Sequence, residues 1–423
     1  MPAAGQPGAP SDLHGAIAAT NSARVHVITD IGNVVIRADA ANQVVYRVHI
    51  ETDAPKKDRA ALVKSFRVVA SPVPGGVLVR GEAARCDCRG RLWVTLDLSI
   101  PKASSLDVST GGGNIDAGDL GGGAVLATAG GNITVGNVAG SARLTSASGG
   151  HITIRSVAGD LTASTAGGHI TADSVQGNAV LRTAGGHIRV TSVGGTAHFD
   201  TGGGNVTLEH SGAGLDAQTL GGEIEVGDAT GLVHASTGGG GIRVVSASGP
   251  TNLETPSGSI YLTQVNGPVH ASTGAGGITA WFSGSGKSVA PCQLQSKDGD
   301  IVVYLPREFP VTIDARIQLG DDHRVIFDPA FPLKVSYDTS GGDRSIRAQG
   351  ALNGGGEVLH LRTVSGNIRV ALSDATRQVQ LYRQQMNQMQ EQIKRMQQQF
   401  QLQMRLFEHH GPPPQQRNPA QPN

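Results

Sequence analysis

Ten glycine-led turns recur through the middle of this chain, and each closes on an apolar residue: Ile115, Ile133, Ile152, Ile170, Ile188, Val206, Ile224, Ile242, Ile260 and Ile278. The step between anchors is 18 residues, except from Ile133 to Ile152, where it is 19. So short and strict a period means one supersecondary unit stacked on copies of itself. Eighteen residues cannot hold two helices and a turn, so the unit is a coil of β-strands.

The columns within the repeat predict how the coil is built. Two residues past each anchor stands another apolar residue (Val135, Ile154, Val190, Leu208), and polar residues such as Thr134, Thr153, Arg189 and Glu225 lie between. That alternation is the period of a half-buried strand. A further inward position follows at Leu120, Val138, Val157, Val175, Val193 and Val265, and then a glycine (Gly140, Gly159, Gly177, Gly195) expected to take positive φ at a corner. A second strand ends in threonine five residues before the next anchor, from Thr165 to Thr273, and stacked threonines can hydrogen-bond along the column. Only 4% of the chain is aromatic, which fits a thin core of Ala, Val, Ile and Leu. At ~4.8 Å per rung the ten coils would form a rod on the order of 50 Å long. The fold class expected is therefore an all-β parallel solenoid with coils of about 18 residues, a β-rich N-terminal cap and a C-terminal α-helix or coiled coil.

Thirty-four basic and 34 acidic residues cancel, which removes the electrostatic case for nucleic acid or an anionic membrane. The 60 glycines follow the coil period and not every third position, which excludes collagen. No apolar run is long enough to predict a membrane span. Residues 1–23 lack a basic segment leading into an apolar one and do not read as a secretory signal. Cys86 and Cys88 with the distant Cys292 make no disulfide framework, and reduced or incidentally paired thiols are expected.

Composition divides the chain into a flexible lead (1–22), a β-rich cap (23–105), regular repeats (106–282) and terminal coils with loop insertions (283–372). Within the cap, Lys56 to Phe66 reads as a short helix. Residues 373–408 change character. Val379, Tyr382, Met386, Met389, Ile393, Met396 and Phe400 fall at alternating steps of three and four, a heptad seam that predicts homo-oligomerisation through a coiled coil. A Pro/Gln-rich tail (409–423) is expected to be disordered.

Two histidine columns are the sharpest candidate sites. His151, His169 and His187 precede the anchor on successive rungs, and that column continues as Asn205 and Glu223. The second reads His198, Asp216, His234, Asn252 and His270. Imidazole and carboxylate both ligate divalent metals, so His198, Asp216 and His234 are the metal candidates, set against a solvated polar face copied by duplication. The glycine clusters lack the Lys-Ser/Thr of a phosphate loop. The nearest acid cluster, Glu223, Glu225 and Asp228 with Arg243, is spread over strand positions, so no catalytic residue and no cofactor is expected.

The anchors, with Leu92-Trp-Val-Thr-Leu-Asp-Leu-Ser-Ile-Pro101 leading into Leu106-Asp-Val-Ser-Thr-Gly-Gly-Gly-Asn-Ile115, resemble the bacterial "putative adhesin" family with β-strand repeats, a domain of unknown function. Asp298-Gly-Asp-Ile-Val-Val-Tyr-Leu-Pro306 and Leu361-Arg-Thr-Val-Ser-Gly-Asn-Ile-Arg-Val370 look like that family's closing segments. The resemblance spans about residues 24–372. It implies a non-enzymatic role at the cell envelope or outside the cell, with a surface glycan or protein as ligand. The alternatives are an intracellular self-assembling scaffold, and a β-helix enzyme acting on polysaccharide.

Overall fold

The computed structural model describes residues 11–373, apart from residue 41 and the segments 284–290, 319–323, 328–330 and 339–343. The heptad seam from Val379 to Phe400 and the tail 409–423 lie outside the described residues.

Thirty-five strands and one helix, Lys56–Ser65, make up the described chain. The strands lie in two sheets, of 17 and 18 members, and each regular coil gives one strand to each. Coil 188–201 is representative. Ile188–Val193 buries Ile188, Val190 and Val193, while Thr196–Thr201 buries Ala197, Phe199 and Thr201. Two consecutive residues, Thr191 and Ser192, point away from the core, and that break in alternation turns the chain toward the second sheet. Stacking is parallel and in register: Ile170 pairs with Ile188, Ile188 with Val206, and Val206 with Ile224. The thin aliphatic core follows from this stacking, because like side chains pile up one rung apart. Phe199, the large exception, is stacked against Ala217.

The extra residue between Ile133 and Ile152 is absorbed at the turn, where Gly149 takes φ +105°. Elsewhere the expectation of positive φ is corrected. Gly140, Gly159, Gly177 and Gly195 are not in the left-handed region. Their requirement is close approach: a Cβ on Gly195 would fall 2.8 Å from the Gly177 carbonyl oxygen one rung below. Two chains of backbone pass too near each other at that corner for any side chain.

Both ends depart from simple winding. Arg24–Thr29 and Asn33–Ala40, which lack the sequence period, form a coil in register with Ser105–Thr110 and Ile115–Ala117. The chain then runs outward, and Gly76–Ala83 and Leu92–Pro101 add a rung on the far side of that coil. Antiparallel strands Phe66–Val73 and Gln43–Thr52 cover this outer rung. Ser11–Ala18, placed by composition in a flexible lead, is a strand antiparallel to Gln43–Thr52. Its Gly15 lies against the Tyr46 ring, where a Cβ would not fit. At the other end, Val358–Thr363 and Ile368–Leu372 dock on Cys292–Ser296 and Ile301–Leu305, while Val311–Gln318 and Val325–Phe327 lie outside them.

Candidate functional site

Three columns of polar side chains run along the solenoid, and each does a different job. The threonine column is structural. From Thr110 to Thr363 each buried hydroxyl donates to a glycine carbonyl of the neighbouring rung at 2.7–2.9 Å, as Thr201 does to Gly186 and Thr219 to Gly204. Most also accept a backbone N–H from the glycine three residues on, as Thr201 does from Gly204 at 3.2 Å. The column therefore bonds hydroxyl to backbone, which corrects the expected threonine-to-threonine bonding. A threonine hydroxyl satisfies two buried backbone groups at once, whereas bonding to the next hydroxyl would leave them unpaired.

The column before the anchor is a ladder of acceptors. Asn33 Oδ1 takes the Asn114 backbone N–H, Asn114 that of Asn132, and Asn132 that of His151, at 2.8–2.9 Å. Histidine then substitutes for asparagine. His151 Nδ1 accepts from the His169 N–H at 3.0 Å, His169 Nδ1 from His187 at 2.9 Å, and His187 Nδ1 from Asn205 at 2.8 Å. Asn205 passes the ladder on to Glu223. The three rings stack, with centroids 4.9 and 4.8 Å apart and planes inclined by 19° and 11°. Desolvation, then the neighbouring His151 and His187, hold His169 below the ordinary histidine range. A metal ion or a solvated face was the expectation for such columns, and the backbone role was missed. The signal was present: Asn114, Asn132, His151, His169, His187 and Asn205 all carry an acceptor one bond beyond Cγ.

The second histidine column lies on the outer face of the second sheet. Asp216 accepts a bond from His198 Nδ1 at 3.0 Å, and Asn252 donates to His234 Nδ1 at 3.2 Å. The structure thus joins His198 to Asp216 and links His234 to Asn252 on the opposite side. Among the described residues no three His, Cys, Asp or Glu side chains are grouped to hold a metal ion. Of the acid cluster, Asp228 pairs with His210 at 3.3 Å, Glu225 stands in register with Arg243, and Arg243 lies over the Tyr261 ring at 5.2 Å. Cys86 and Cys88 bring their sulfurs together in the 84–91 loop, while Cys292 is buried.

Two grooves run along the corner beside the threonine column. One, of about 560 Å³, is lined by Asp200, Gln218, Ser236, Glu254 and Ser272, with Leu220 and Pro256 on its rim. The other, of about 340 Å³, is lined by Thr145, Ser164, Arg182 and again Asp200. Asp200 lines both, so the two open grooves adjoin at that residue, and their linings together touch eight successive rungs from Thr145 to Ser272. Leu220 is 77% exposed at its edge. A third recess, of about 520 Å³, lies on the first-sheet side beside Lys102, Asp119 and Gln176. There the Asn137 backbone N–H and side-chain amide keep the Asp119 carboxyl below its usual range.

No family model matches this chain, and no curated protein matches it. Among solved structures, the crystal structure of a "putative cell adhesion protein" from Clostridium sporogenes, at 1.95 Å resolution, aligns with 86% of this chain and 100% of its own. The identity is 8% and the TM-score 0.16. No helix among the described residues is long and apolar enough to cross a membrane.

Proposed function

We propose that this protein is a non-catalytic, adhesin-like β-solenoid that holds an extended ligand along its axis at the cell envelope or outside the cell. The observation that carries this reading is the pair of open grooves that adjoin at Asp200, whose linings place carboxylate, amide and hydroxyl groups at the rung spacing. A ligand with hydroxyl or amide groups in linear repeat, such as a surface glycan or an extended protein segment, matches that lining. The placement of Glu223 at a turn, Glu225 in register with Arg243 and Asp228 paired with His210 supports a binding role over a hydrolytic one, because general acid–base work needs carboxylates facing one substrate atom.

The heptad seam from Val379 to Phe400 gives the reading its second half. Gathering copies through this seam multiplies weak contacts without new ones. The test is light scattering on the full chain beside one ending before Asp374, together with binding to an array of linear glycans. A full-length oligomer that becomes a folded monomer, with weaker array binding and unchanged ligand preference, supports the reading. A monomer in both forms removes the multivalency. Binding that survives Asp200→Ala, Gln218→Ala and Glu254→Ala together removes the grooves from the account.

A further inference from the structure

We propose that His151, His169 and His187 form a proton-operated break in the solenoid, at which acid disconnects adjacent rungs while the asparagine-linked rungs beside them hold.

The argument starts from the bond each ring makes. A backbone N–H can only donate, so each Nδ1 that receives one must carry a lone pair, and the proton of the neutral ring sits on Nε2. Protonation puts hydrogen on both nitrogens. Nδ1–H would then point at an N–H that also donates, and the bond is lost. Asn33, Asn114, Asn132 and Asn205 fill the same column with an amide oxygen that does not titrate, so over the rungs from Asn33 to Asn205 only the histidine ones respond. The rings also stack at 4.8–4.9 Å, so neighbouring imidazolium ions would repel.

All three rings are exposed, so water solvates a charged column, but no carboxylate is bonded to any of the three among the described residues. The titratable groups acting on His169 are its own neighbours, His151 and His187. On the same strands Arg155, Asp173 and Arg189 point outward and are exposed, and Arg182 and Asp200 stand on the second-sheet strands leading into these turns. The sign follows from His169, whose folded pKa is depressed. The contribution of neutral His169 is complete above the unfolded value of about 6.5, and it is lost as pH falls from there through the folded value. The same tautomer closes these rings to metals, because a metal at Nε2 would force the ring proton onto Nδ1.

Two measurements on the full chain test this. Imidazole ¹⁵N spectra at about pH 7.5 are expected to show the Nε2–H tautomer for all three rings. Hydrogen exchange is then followed to about pH 5. Protection at the amides of His169, His187 and Asn205 should fall on the order of tenfold further than at those of Asn132 and His151, whose acceptors are asparagines. The variant His151→Asn/His169→Asn/His187→Asn extends what the column already uses, and should keep its neutral-pH protection and lose the acid response. His169→Asn alone should remove the response at the His187 amide only. An Nδ1–H tautomer, an equal acid loss at the asparagine-linked amides, or an unchanged acid response in the triple variant would each overturn the proposal.

Discussion

Replacing Thr201 with valine isolates what a single hydroxyl does in the core. The two side chains have nearly the same shape, so packing between the in-register neighbours Thr183 and Thr219 changes little. The hydroxyl, however, donates to the Gly186 carbonyl at 2.7 Å and accepts the Gly204 N–H at 3.2 Å. Thr201, Gly186 and Gly204 are all buried, so water cannot take its place. Leaving one buried donor and one buried acceptor unmatched costs roughly 1–3 kcal/mol each, and about 2–4 kcal/mol together once the gain of a methyl group is set against it. Thr201→Ser is the control. It keeps both bonds and loses one methyl, for about 1 kcal/mol, and Ser146 and Ser296 already make the same bond to Gly131 and Gly276. Because each rung contacts only its neighbours, the loss should appear first as local opening. Hydrogen exchange at the Gly204 amide, read beside urea unfolding of the full chain, is the assay. Faster exchange on the order of 30-fold or more in the valine variant, with the serine variant close to wild type, is expected. A valine variant as stable as the serine one would refute the claim that the threonine column holds the rungs through backbone bonds.

The glycine column gives a sharper contrast within one turn. Gly204→Ala would place a Cβ 2.0 Å from the Gly186 oxygen and should cost about 3 kcal/mol or more, whereas Gly203→Ala meets nothing within 4 Å and should stay within about 0.5 kcal/mol, as thermal unfolding midpoints would show. Burial pushes the Cys292 thiol up to about 11, so alkylation at about pH 8 should be slow in the folded chain and fast once it is unfolded; equal rates would mean the thiol is accessible. His49 is raised by its bonds to Asp12 and Glu51, the reverse of His169. The hold of Ser11–Ala18 on Gln43–Thr52 should therefore be complete below about pH 6.5 and weaken as pH rises through the folded value, and exchange in residues 11–18 that is flat across that window would remove the ion pair from the account.

The repeat made the fold legible because a parallel stack demands the same residue type at the same place in every rung. Ile133, Ile152, Ile170 and Ile188 align in the sequence and pair in the sheet for one reason. Where a demand is on backbone proximity, the residue is equally visible but its reason is not: glycine at 195 reads alike for positive φ and for close approach. The first coil was hidden because Arg24–Thr29 and Asn33–Ala40 are separated from their partners by a long insertion, and periodicity measures distance along the chain. The acceptor ladder was hidden differently. Asparagine and histidine look unlike by composition, yet Oδ1 and Nδ1 reach the same backbone N–H. The two grooves that adjoin at Asp200 had no signature at all, since their linings come from outward positions that a sequence can only mark as tolerant.

The arrangement of the ends bears on self-assembly. A coil wound in simple order would expose its first and last parallel strands as templates for another molecule. Here the outermost strands at the N-terminal end are Ser11–Ala18 on one sheet and Phe66–Val73 on the other, and both run antiparallel to their inner neighbours. A copy adding in solenoid register would need parallel edges in both sheets, and among the described residues neither sheet offers one at this end. Pro72 further blunts the Phe66–Val73 edge by removing a backbone donor. At the C-terminal end, Val311–Gln318 and the three-residue strand Val325–Phe327 continue the parallel sense, but Val311–Gln318 is followed outward by Ser345–Leu352 and Lys334–Asp338, each antiparallel to its neighbour. Among the described residues, these antiparallel end strands would have to be displaced before a second solenoid could stack in register.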